Sequence, residues 1–353
     1  MSVKTSKSHA RKPTISSTAD LADYLGLSQW TVSRAINGHP EVKTSTRQRV
    51  LLAMDKVGFQ PNPMARGLNG KSTGIVGICF GNPRNPLMGD KIASLDEFLR
   101  EHKVRAVLAI TPRDESSERR IIEDFQHMRV DGVILVQSYL GAAQAKEWLK
   151  DLLCVHVDPP QPELTPFVSV DRSRAMHLLV DHLVGLGHRS FASLGFSADN
   201  AWRWKGLTDA LRSHGIDPKR NLQAFQLDLP GRESFAEGIE LARMALASKA
   251  HRTAWLAVND HVAIGAIQHL RNAGFSVPED FSVTGFDNLE AGRFLRPTLT
   301  TIDQRVDELM RRAGEVLLKI IGGPRKSSMP GGLSIEPQLF ARESTGPVRR
   351  SRK

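Results

Sequence analysis

The sequence predicts an α/β protein in which an all-α headpiece precedes a larger body of parallel sheets. Two observations carry this prediction. Residues 18–37 show the pattern of two short amphipathic helices joined by a Gly corner. Residues 73–342 alternate apolar, strand-like runs with helical patterns, as expected for parallel sheets linked by crossover helices. These 270 residues are enough to bury two hydrophobic cores.

The first two helices are predicted at 20–25 and 29–36, which is the spacing of a helix-turn-helix. Gly26 makes the corner, and the Ser28 hydroxyl can cap the second helix. With one face buried, the second helix leaves outward side chains that can meet base edges and phosphates. The inward residues are Leu21, Ala22 and Leu25 in the first helix and Val32, Ala35 and Ile36 in the second.

A third helix is predicted to begin at a capping-box pattern, Ser45 to Gln48, and to end at Gly58. Its buried stripe would close a small three-helix core. The predicted stripe consists of Val50, Leu51, Met54 and Val57.

The segment 59–68 predicts a short helix capped by Asn62 and opened by Pro63. Only about one and a half turns follow before Asn69 and Gly70, and isolated helices below about 12 residues are marginal in water. Gly67 costs about 1 kcal/mol more. We therefore expect this segment to fold only against a partner.

Together these N-terminal residues resemble the headpiece and hinge of the lactose/galactose repressor (LacI/GalR) family. In that family the hinge helices of a dimer pair in the DNA minor groove, and a leucine wedges between base pairs at the operator centre. By position this leucine is Leu68, although an ordinary linker leucine is the alternative. The residues that carry the resemblance are Thr31, Val32, Ser33, Arg34, Asn37, Pro61, Asn62, Ala65, Arg66 and Leu68.

The resemblance implies that the partner is double-stranded, pseudo-palindromic operator DNA. Gln29 and Trp30 occupy the pair of positions that reads the half-site in relatives, so no relative's operator can be carried over. Packing of Trp30 against the headpiece core is an equal alternative, and Phe59 stands where Tyr is common. The predicted DNA contacts are Ser28, Gln29, Trp30, Thr31, Ser33, Arg34, Asn37, Asn62, Ala65, Arg66 and Leu68.

Charge is concentrated at the two ends of the chain. The net charge is +10, of which residues 1–72 contribute +7 from eleven Lys and Arg against four Asp and Glu. Residues 343–353 contribute +3, so the remaining 270 residues are neutral. A basic headpiece is the footprint expected for phosphate contact, whereas a neutral body argues against DNA touching the larger part. Both basic ends are expected to be solvated tails.

Several classes of protein and site are disfavoured by the sequence. The basic N-terminal run lacks the apolar block of a signal peptide, and no run approaches about 20 apolar residues, so we expect a cytoplasmic protein without a membrane partner. Cys79 and Cys154 lie in apolar strand-like runs, which favours buried, reduced thiols. Neither a phosphate-binding loop, a nucleophile elbow nor a His/Cys cluster is present, so we predict no catalytic residue, metal or cofactor.

Polar residues directly follow several predicted strands of the body. In open parallel sheets, ligands bind outside the carboxyl ends of the strands. Asp158 follows the run 154–157, and Asn259 and Asp260 follow 254–258. Asp287 follows residues 283–286, at the end of the predicted strand 281–285. The other predicted strands are 75–80, 104–110, 133–136 and 191–194, with helical patterns at 118–128, 174–186 and 262–273.

The family resemblance continues to about Arg342. It implies two Rossmann-like subdomains, similar to periplasmic sugar-binding proteins, hinged by three crossing strands with an effector in the cleft. The predicted segments are a basic tail 1–17, the headpiece 18–60, the hinge 61–71, the body 72–342 and a basic tail 343–353. Within the body, the N-subdomain would span about 73–170 and 302–332, and the C-subdomain about 171–301 and 333–342.

By position, the resemblance implies effector contacts from Asp158, Arg203, Asn259, Asp287 and Gln304. Fixed carboxylates, amides and a guanidinium suit the paired hydroxyls of a sugar. The alternative for two of them is structural, because Asp287 can cap the following turn and Asn259 the helix that begins near Asp260.

The function predicted from the sequence is a repressor whose operator affinity is switched by a small-molecule effector, a sugar or sugar derivative. We expect a homodimer, because one short recognition helix is too small to specify a site in a genome. Its faces are predicted near 85–99 and 264–275. A sugar-binding transport component and a Rossmann-type enzyme are the alternatives, and each fits only the body.

Overall fold

A computed structural model describes residues 15–60, 72–81, 85–111, 114–138, 140–159, 163–196, 198, 201–227, 234–248, 252–323 and 331–348. The chain divides into two compact units, Met1–Thr73 and Gly74–Lys353. The predicted hinge residues Asn62, Ala65, Arg66 and Leu68 lie outside the described residues.

In its described residues, 15–60 and 72–73, the N-terminal unit has three helices around a small apolar core: α1 (Thr18–Leu25), α2 (Gln29–Ile36) and α3 (Thr44–Val57). Helix α1 begins two residues earlier than predicted because Ser17 and Asp20 cap it reciprocally. It ends at Gly26, whose φ of 62° is left-handed. The buried side chains are Leu21, Ala22, Leu25, Val32, Ala35, Val50, Ala53 and Phe59.

Helix α3 differs from its prediction in two respects. The capping box predicted at Ser45 is wrong, since the helix begins at Thr44 after Lys43, which makes no side-chain cap. The predicted burial of Leu51 is also wrong, because this side chain is 44% exposed. Positions 50 and 53 face the core, and the 3.6-residue period therefore turns Leu51 outward and brings Ala53 inward.

The second unit contains a six-stranded parallel sheet in the order β11-β5-β4-β3-β1-β2. Helices α4 (Pro86–Glu101) and α13 (Val306–Gly322) cover one face, and α5 (Glu115–His127) and α6 (Ala142–Trp148) cover the other. The strands are β1 (Ile75–Phe80), β2 (Arg105–Ile110), β3 (Gly132–Val136), β4 (Cys154–Val157), β5 (Phe167–Val170) and β11 (Gly332–Ile335). This sheet and its helices are the N-subdomain.

The C-subdomain is built on a four-stranded parallel sheet in the order β7-β6-β8-β9. Its strands are β6 (Phe191–Leu194), β7 (Leu222–Phe225), β8 (Ala254–Ala257) and β9 (Ser282–Thr284). A separate antiparallel pair joins β10 (Thr301–Asp303) to β12 (Gln338–Phe340). The helices are α7 (Arg172–Gly185), α8 (Ala201–Ser213), α9 (Pro218–Asn221), α10 (Phe235–Ala247), α11 (Asp260–Asn272) and α12 (Ala291–Phe294).

Two predicted boundaries differ from the structure. The sequence predicts that residues 333–335 belong to the C-subdomain, but β11 pairs in parallel with β5 and buries Ile335 in the N-subdomain core. The basic tail was predicted from residue 343, yet Ser344 is fully buried, donates to Val283 O and accepts from Thr300 N. These hydrogen bonds fix the chain against the C-subdomain, so a solvated tail cannot begin at residue 343.

Each of the seven predicted strand runs contains a strand. Cys79 and Cys154 are free and buried, as predicted, and burial raises the pKa of the Cys79 thiol to about 12. Among the described residues, no helix is long and apolar enough to cross a membrane. That same part of the chain holds no group of three His, Cys, Asp or Glu side chains that could bind a metal ion.

Candidate functional site

Helix α2 presents most of the predicted DNA-contacting residues on its exposed side. Ser28 caps the helix by accepting from Thr31 N at 3.1 Å, and Ser28, Gln29 and Trp30 are exposed at its N-terminus. Thr31, Ser33 and Arg34 are half-buried, and Asn37 is exposed. The side chains of Val32 and Ala35 fix the opposite face in the core. The helix therefore offers its polar face and N-terminus to a ligand.

Trp30 and Arg34 form a pair on this face. Trp30 is 62% exposed, so the alternative that it packs into the headpiece core is wrong. The Arg34 guanidinium lies 3.7 Å from the centroid of the Trp30 ring and makes a salt bridge with Glu41. Stacking on an indole ring restricts the conformations of a long cationic side chain, and the side chain remains charged.

Four of the five predicted effector residues come together in the C-subdomain. Arg203 donates to the carbonyl of Val258, and its guanidinium lies 4.0 Å from the Phe286 ring centroid. Gln304 Nε2 donates to Asp287 Oδ1 at 2.5 Å. Because Val258 precedes Asn259 and Phe286 precedes Asp287, these contacts gather Arg203, Asn259, Asp287 and Gln304 at the carboxyl ends of neighbouring strands. We call these four residues the strand-end cluster.

Asn259 also performs the structural role that the sequence allowed. Its Oδ1 accepts from Val262 N at 2.9 Å and caps helix α11. The backbone of Asp287 has a φ of 130°, a conformation that is rare for residues other than glycine. Such residues are concentrated at functional sites, where the surrounding structure holds them in place.

Asp158 belongs to a different network, in the N-subdomain. Its side chain is fully buried and accepts from Lys91 Nζ at 2.7 Å, Arg172 Nη1 at 3.0 Å and Val170 N at 3.1 Å. Burial alone would raise the pKa of this carboxyl, but the charges of Arg172 and Lys91 hold it well below its ordinary value. Most of its acceptor capacity is therefore used within the protein.

Sequence reasoning missed Lys91 and Arg172, and it placed Asp260 after a strand without giving it a role in the site. Lys91 had a detectable signal, because it interrupts the buried face of α4 between Met88 and Leu95. Asp260, the residue after Asn259, is fully buried and accepts from Thr301 Oγ1 at 2.5 Å and Leu289 N at 2.7 Å. Burial raises the pKa of Asp260 to about 6, against these hydrogen bonds, which favour its ionised form.

Comparison with known proteins gives matches to both parts of this chain. The model for bacterial regulatory proteins of the lacI family matches residues 17–62, and that for a periplasmic binding protein-like domain matches residues 180–345. Catabolite control protein A of Streptococcus mutans is 30% identical over 310 residues, covering 86% of this chain and 90% of that protein. The chain belongs to the LacI family of transcriptional regulators.

Solved structures show the same fold as this LacI-family chain. The Lac repressor dimer bound to operator and the anti-inducer ONPF superposes with a TM-score of 0.81 at 24% identity, covering 94% of this chain and 99% of that one. The regulator CelR in complex with cellobiose gives a TM-score of 0.66 at 23% identity over 94% and 100% of the two chains. Membership confirms the predicted class, a DNA-binding transcriptional regulator with a periplasmic-binding-protein-like body.

Proposed function

We propose that this regulator represses transcription as a homodimer on a pseudo-palindromic operator, and that a carbohydrate bound at the strand-end cluster changes its operator affinity. The observation that carries the proposal is the combination of an exposed, capped recognition helix with a buried cluster of guanidinium, carboxylate and amide groups in a separate unit of the chain. Binding to the bacterial chromosome would place its action in the cytoplasm.

Helix α2, the proposed recognition helix, supports the DNA-binding part of this proposal. Ser28, Gln29, Trp30, Thr31, Ser33, Arg34 and Asn37 are the proposed contacts in the headpiece. Arg34 is the strongest candidate for a base edge or phosphate, because guanidinium groups form bidentate hydrogen bonds with both. Its salt bridge with Glu41 is half-exposed and is worth about 1 kcal/mol at most, so DNA can replace it.

Replacement of Arg34 by alanine is expected to lower operator affinity by about 1–3 kcal/mol without affecting folding. The measurement is an operator titration at fixed salt, with circular dichroism to verify the fold. Lys56→Ala, an exposed change in the last turn of α3, is the matched control for loss of one positive charge. Wild-type affinity in Arg34→Ala would contradict the recognition-helix assignment.

The hinge residues Asn62, Ala65, Arg66 and Leu68, which lie outside the described residues, remain proposed contacts from the family resemblance. Leu68→Ala should lower operator affinity while binding to random DNA barely changes. The reason is that an apolar wedge offsets the cost of opening one base step, whereas non-specific binding depends on charge. Equal losses on both kinds of DNA would argue against a wedge.

Exposed apolar side chains support the homodimer. Leu108 and Ile110 are 49% and 53% exposed on β2, the edge strand of the N-subdomain sheet. On the C-subdomain, Phe294 is 76% and Phe275 38% exposed, the latter at the end of the predicted face 264–275. Large apolar side chains gathered on an edge strand and beside a helix end are typical of association surfaces. Sedimentation equilibrium of the full chain tests this directly.

The strand-end cluster supports a polar, hydroxyl-bearing effector. Arg203 can donate and Asp287 can accept, so adjacent hydroxyls on one sugar ring find paired partners. Effector binding would shift operator affinity through a coupling of about 1–3 kcal/mol.

The decisive experiment begins with selection of operator sequences from random duplex DNA by the full-length protein. The selected duplex is then titrated with protein in the presence and absence of each member of a sugar panel. A selected pseudo-palindrome whose retardation responds to one sugar is the expected result. Recovery of no sequence preference would overturn the DNA-binding part, and a response to no sugar would overturn the carbohydrate part.

A further inference from the structure

A cavity of about 230 Å³, lined by none of the four strand-end residues, lies between the N-subdomain sheet and the start of the C-subdomain. Its lining includes the sheet residues Phe167, Ser169 and Ser334, and Arg172, Ser173 and Trp202 from the N-terminal turns of α7 and α8. The volume is below the 300–1,000 Å³ that is usual for drug-sized ligands, and has room for one small ring.

The cavity lies against the face of β5 and β11 that points away from the N-subdomain core. Val168 and Val170 point into the N-subdomain core, so the alternate residues Phe167 and Ser169 face the other way. Their partners across the parallel register are Gly332 and Ser334. The Phe167 ring lies where a Cβ atom of residue 332 would be, so Gly332 lets an aromatic ring lie flat along the floor.

Close packing of α7 and α8 brings Trp202 to the rim. A Cβ atom at Gly206 would lie 2.6 Å from the Cα of Ser173, so glycine permits this approach of the two helices. Trp202 is four residues before Gly206 on the same helical face and is thereby placed beside Ser173 and the cavity. Its side chain is nevertheless 45% exposed, which leaves a large part of the indole ring uncovered.

The chemistry of this lining fits a sugar ring. An indole face packs against the C–H face of a pyranose, and the hydroxyls of Ser169, Ser173 and Ser334 can both donate to and accept from sugar hydroxyls. The Arg172 guanidinium, 15% exposed, adds a charge-assisted donor. An apolar wall with a few convergent polar groups is the usual composition of a small-molecule site.

Arg172 joins this cavity to the predicted effector residues. Arg172 lines the cavity, and its guanidinium donates to Asp158 at 3.0 Å. Pro159, which follows Asp158, forms another part of the wall. Trp202 likewise precedes Arg203 of the strand-end cluster. Two of the lining residues, Pro159 and Trp202, are thus next in sequence to predicted effector residues.

We propose that this cavity is a subsite for a second sugar ring, stacked on Trp202, so that the effector is a disaccharide or a longer saccharide. The proposal rests on the carbohydrate effector proposed above. It assigns Trp202 the role of selecting saccharide length, while Arg203 and Asp287 hold the ring that both short and long saccharides share.

The test uses calorimetric titration of the full-length protein with glucose, galactose and xylose and with disaccharides built from them. Wild type is expected to bind one disaccharide about tenfold or more tightly than either component sugar. Trp202→Ala should abolish this preference and leave monosaccharide binding unchanged, and Trp202→Phe should retain most of it. Trp148→Ala, a tryptophan replaced elsewhere in the N-subdomain, is the control and should behave as wild type.

The outcomes separate the two proposals. Equal affinity for the disaccharides and their components, or an unchanged preference in Trp202→Ala, overturns the subsite while leaving the carbohydrate effector in place. Weaker binding of both mono- and disaccharides by Arg203→Ala supports the strand-end cluster independently of Trp202. Failure of the whole panel to bind, with operator binding intact, overturns the subsite together with the carbohydrate effector but leaves the DNA-binding function standing.

Discussion

Replacement of Lys91 by methionine will lower the free energy of unfolding by about 3 kcal/mol. Lys91 and Asp158 are both buried, and their contact of 2.7 Å joins helix α4 to the end of β4. Methionine fills similar space but leaves Asp158 with Arg172 as its one remaining cationic partner among the described contacts. An under-compensated carboxylate in the protein interior is costly, which places the effect well above that of a surface pair. Chemical denaturation at neutral pH measures it.

Lys205→Met is the matched control, because the Lys205–Asp209 contact is equally short at 2.8 Å but the lysine side chain is 74% exposed. We expect a change within about 0.5 kcal/mol there. The double variant Lys91→Met/Asp158→Asn should recover part of the loss, since asparagine removes the charge and tolerates the left-handed φ of 52° at this position. An unfolding midpoint of Lys91→Met equal to that of wild type would contradict the buried ion pair.

The same network predicts the direction of the pH dependence. The folded-state pKa of Asp158 lies below its ordinary value of 3.8, so its ionised form stabilises the folded protein at neutral pH. This contribution is fully present above pH 3.8 and is lost as the pH falls below it towards the lowered pKa. The difference in stability between wild type and Asp158→Asn should therefore shrink on acidification.

Replacement of Arg203 by alanine, or of Asp287 by alanine, is the second change with a large expected effect. Each variant should bind the effector about 30-fold more weakly, or by about 2 kcal/mol, because a hydroxyl loses its charge-assisted partner. Arg203→Lys should recover little, since a lysine cannot reproduce the planar contact with Phe286 or the hydrogen bond to Val258 O. The measurement is calorimetric titration with the sugar that wild type binds.

Operator titrations of the same variants reveal the sign of the switch. DNA binding without effector should survive, because the strand-end cluster lies in a different unit of the chain from the headpiece. An inducible repressor would become insensitive to its sugar, whereas a co-repressed one would lose operator affinity in the presence of the sugar. Undiminished sugar affinity in both alanine variants, with folding verified, would remove Arg203 and Asp287 from the site.

The headpiece shows which structural features a local sequence pattern can predict. Gly26, Ser28 and Gly58 act as the sequence predicts, because a left-handed cap or a side-chain cap depends on a few neighbouring residues. Leu51 was misplaced because it is one position from the true inward face of α3. Helical periodicity alone predicts that an apolar side chain at this position is buried. In the packed headpiece the Leu51 side chain is exposed.

In the candidate effector site, the sequence predicted the positions of polar residues but not their partners. Strand-end polar residues could be found from the sequence, because the end of an apolar run in an α/β body predicts where a ligand-binding edge lies. Whether such a residue faces a ligand or a buried partner depends on elements far away in the chain. Asp158 meets Lys91, which is 67 residues before it, and Arg172 on the following helix.

The sequence by itself determined the headpiece, the alternating body and the family, because caps, periodicity and short motifs are encoded by neighbouring residues. Tertiary structure alone decided that β11 joins the N-subdomain, that residues 343–348 pack on the C-subdomain and that the Asp158 carboxylate is ion-paired inside the protein. It also decided that Trp202 stands beside an open cavity. These features depend on contacts between residues distant in sequence, where burial and charge pairing, rather than local propensity, set the free energy.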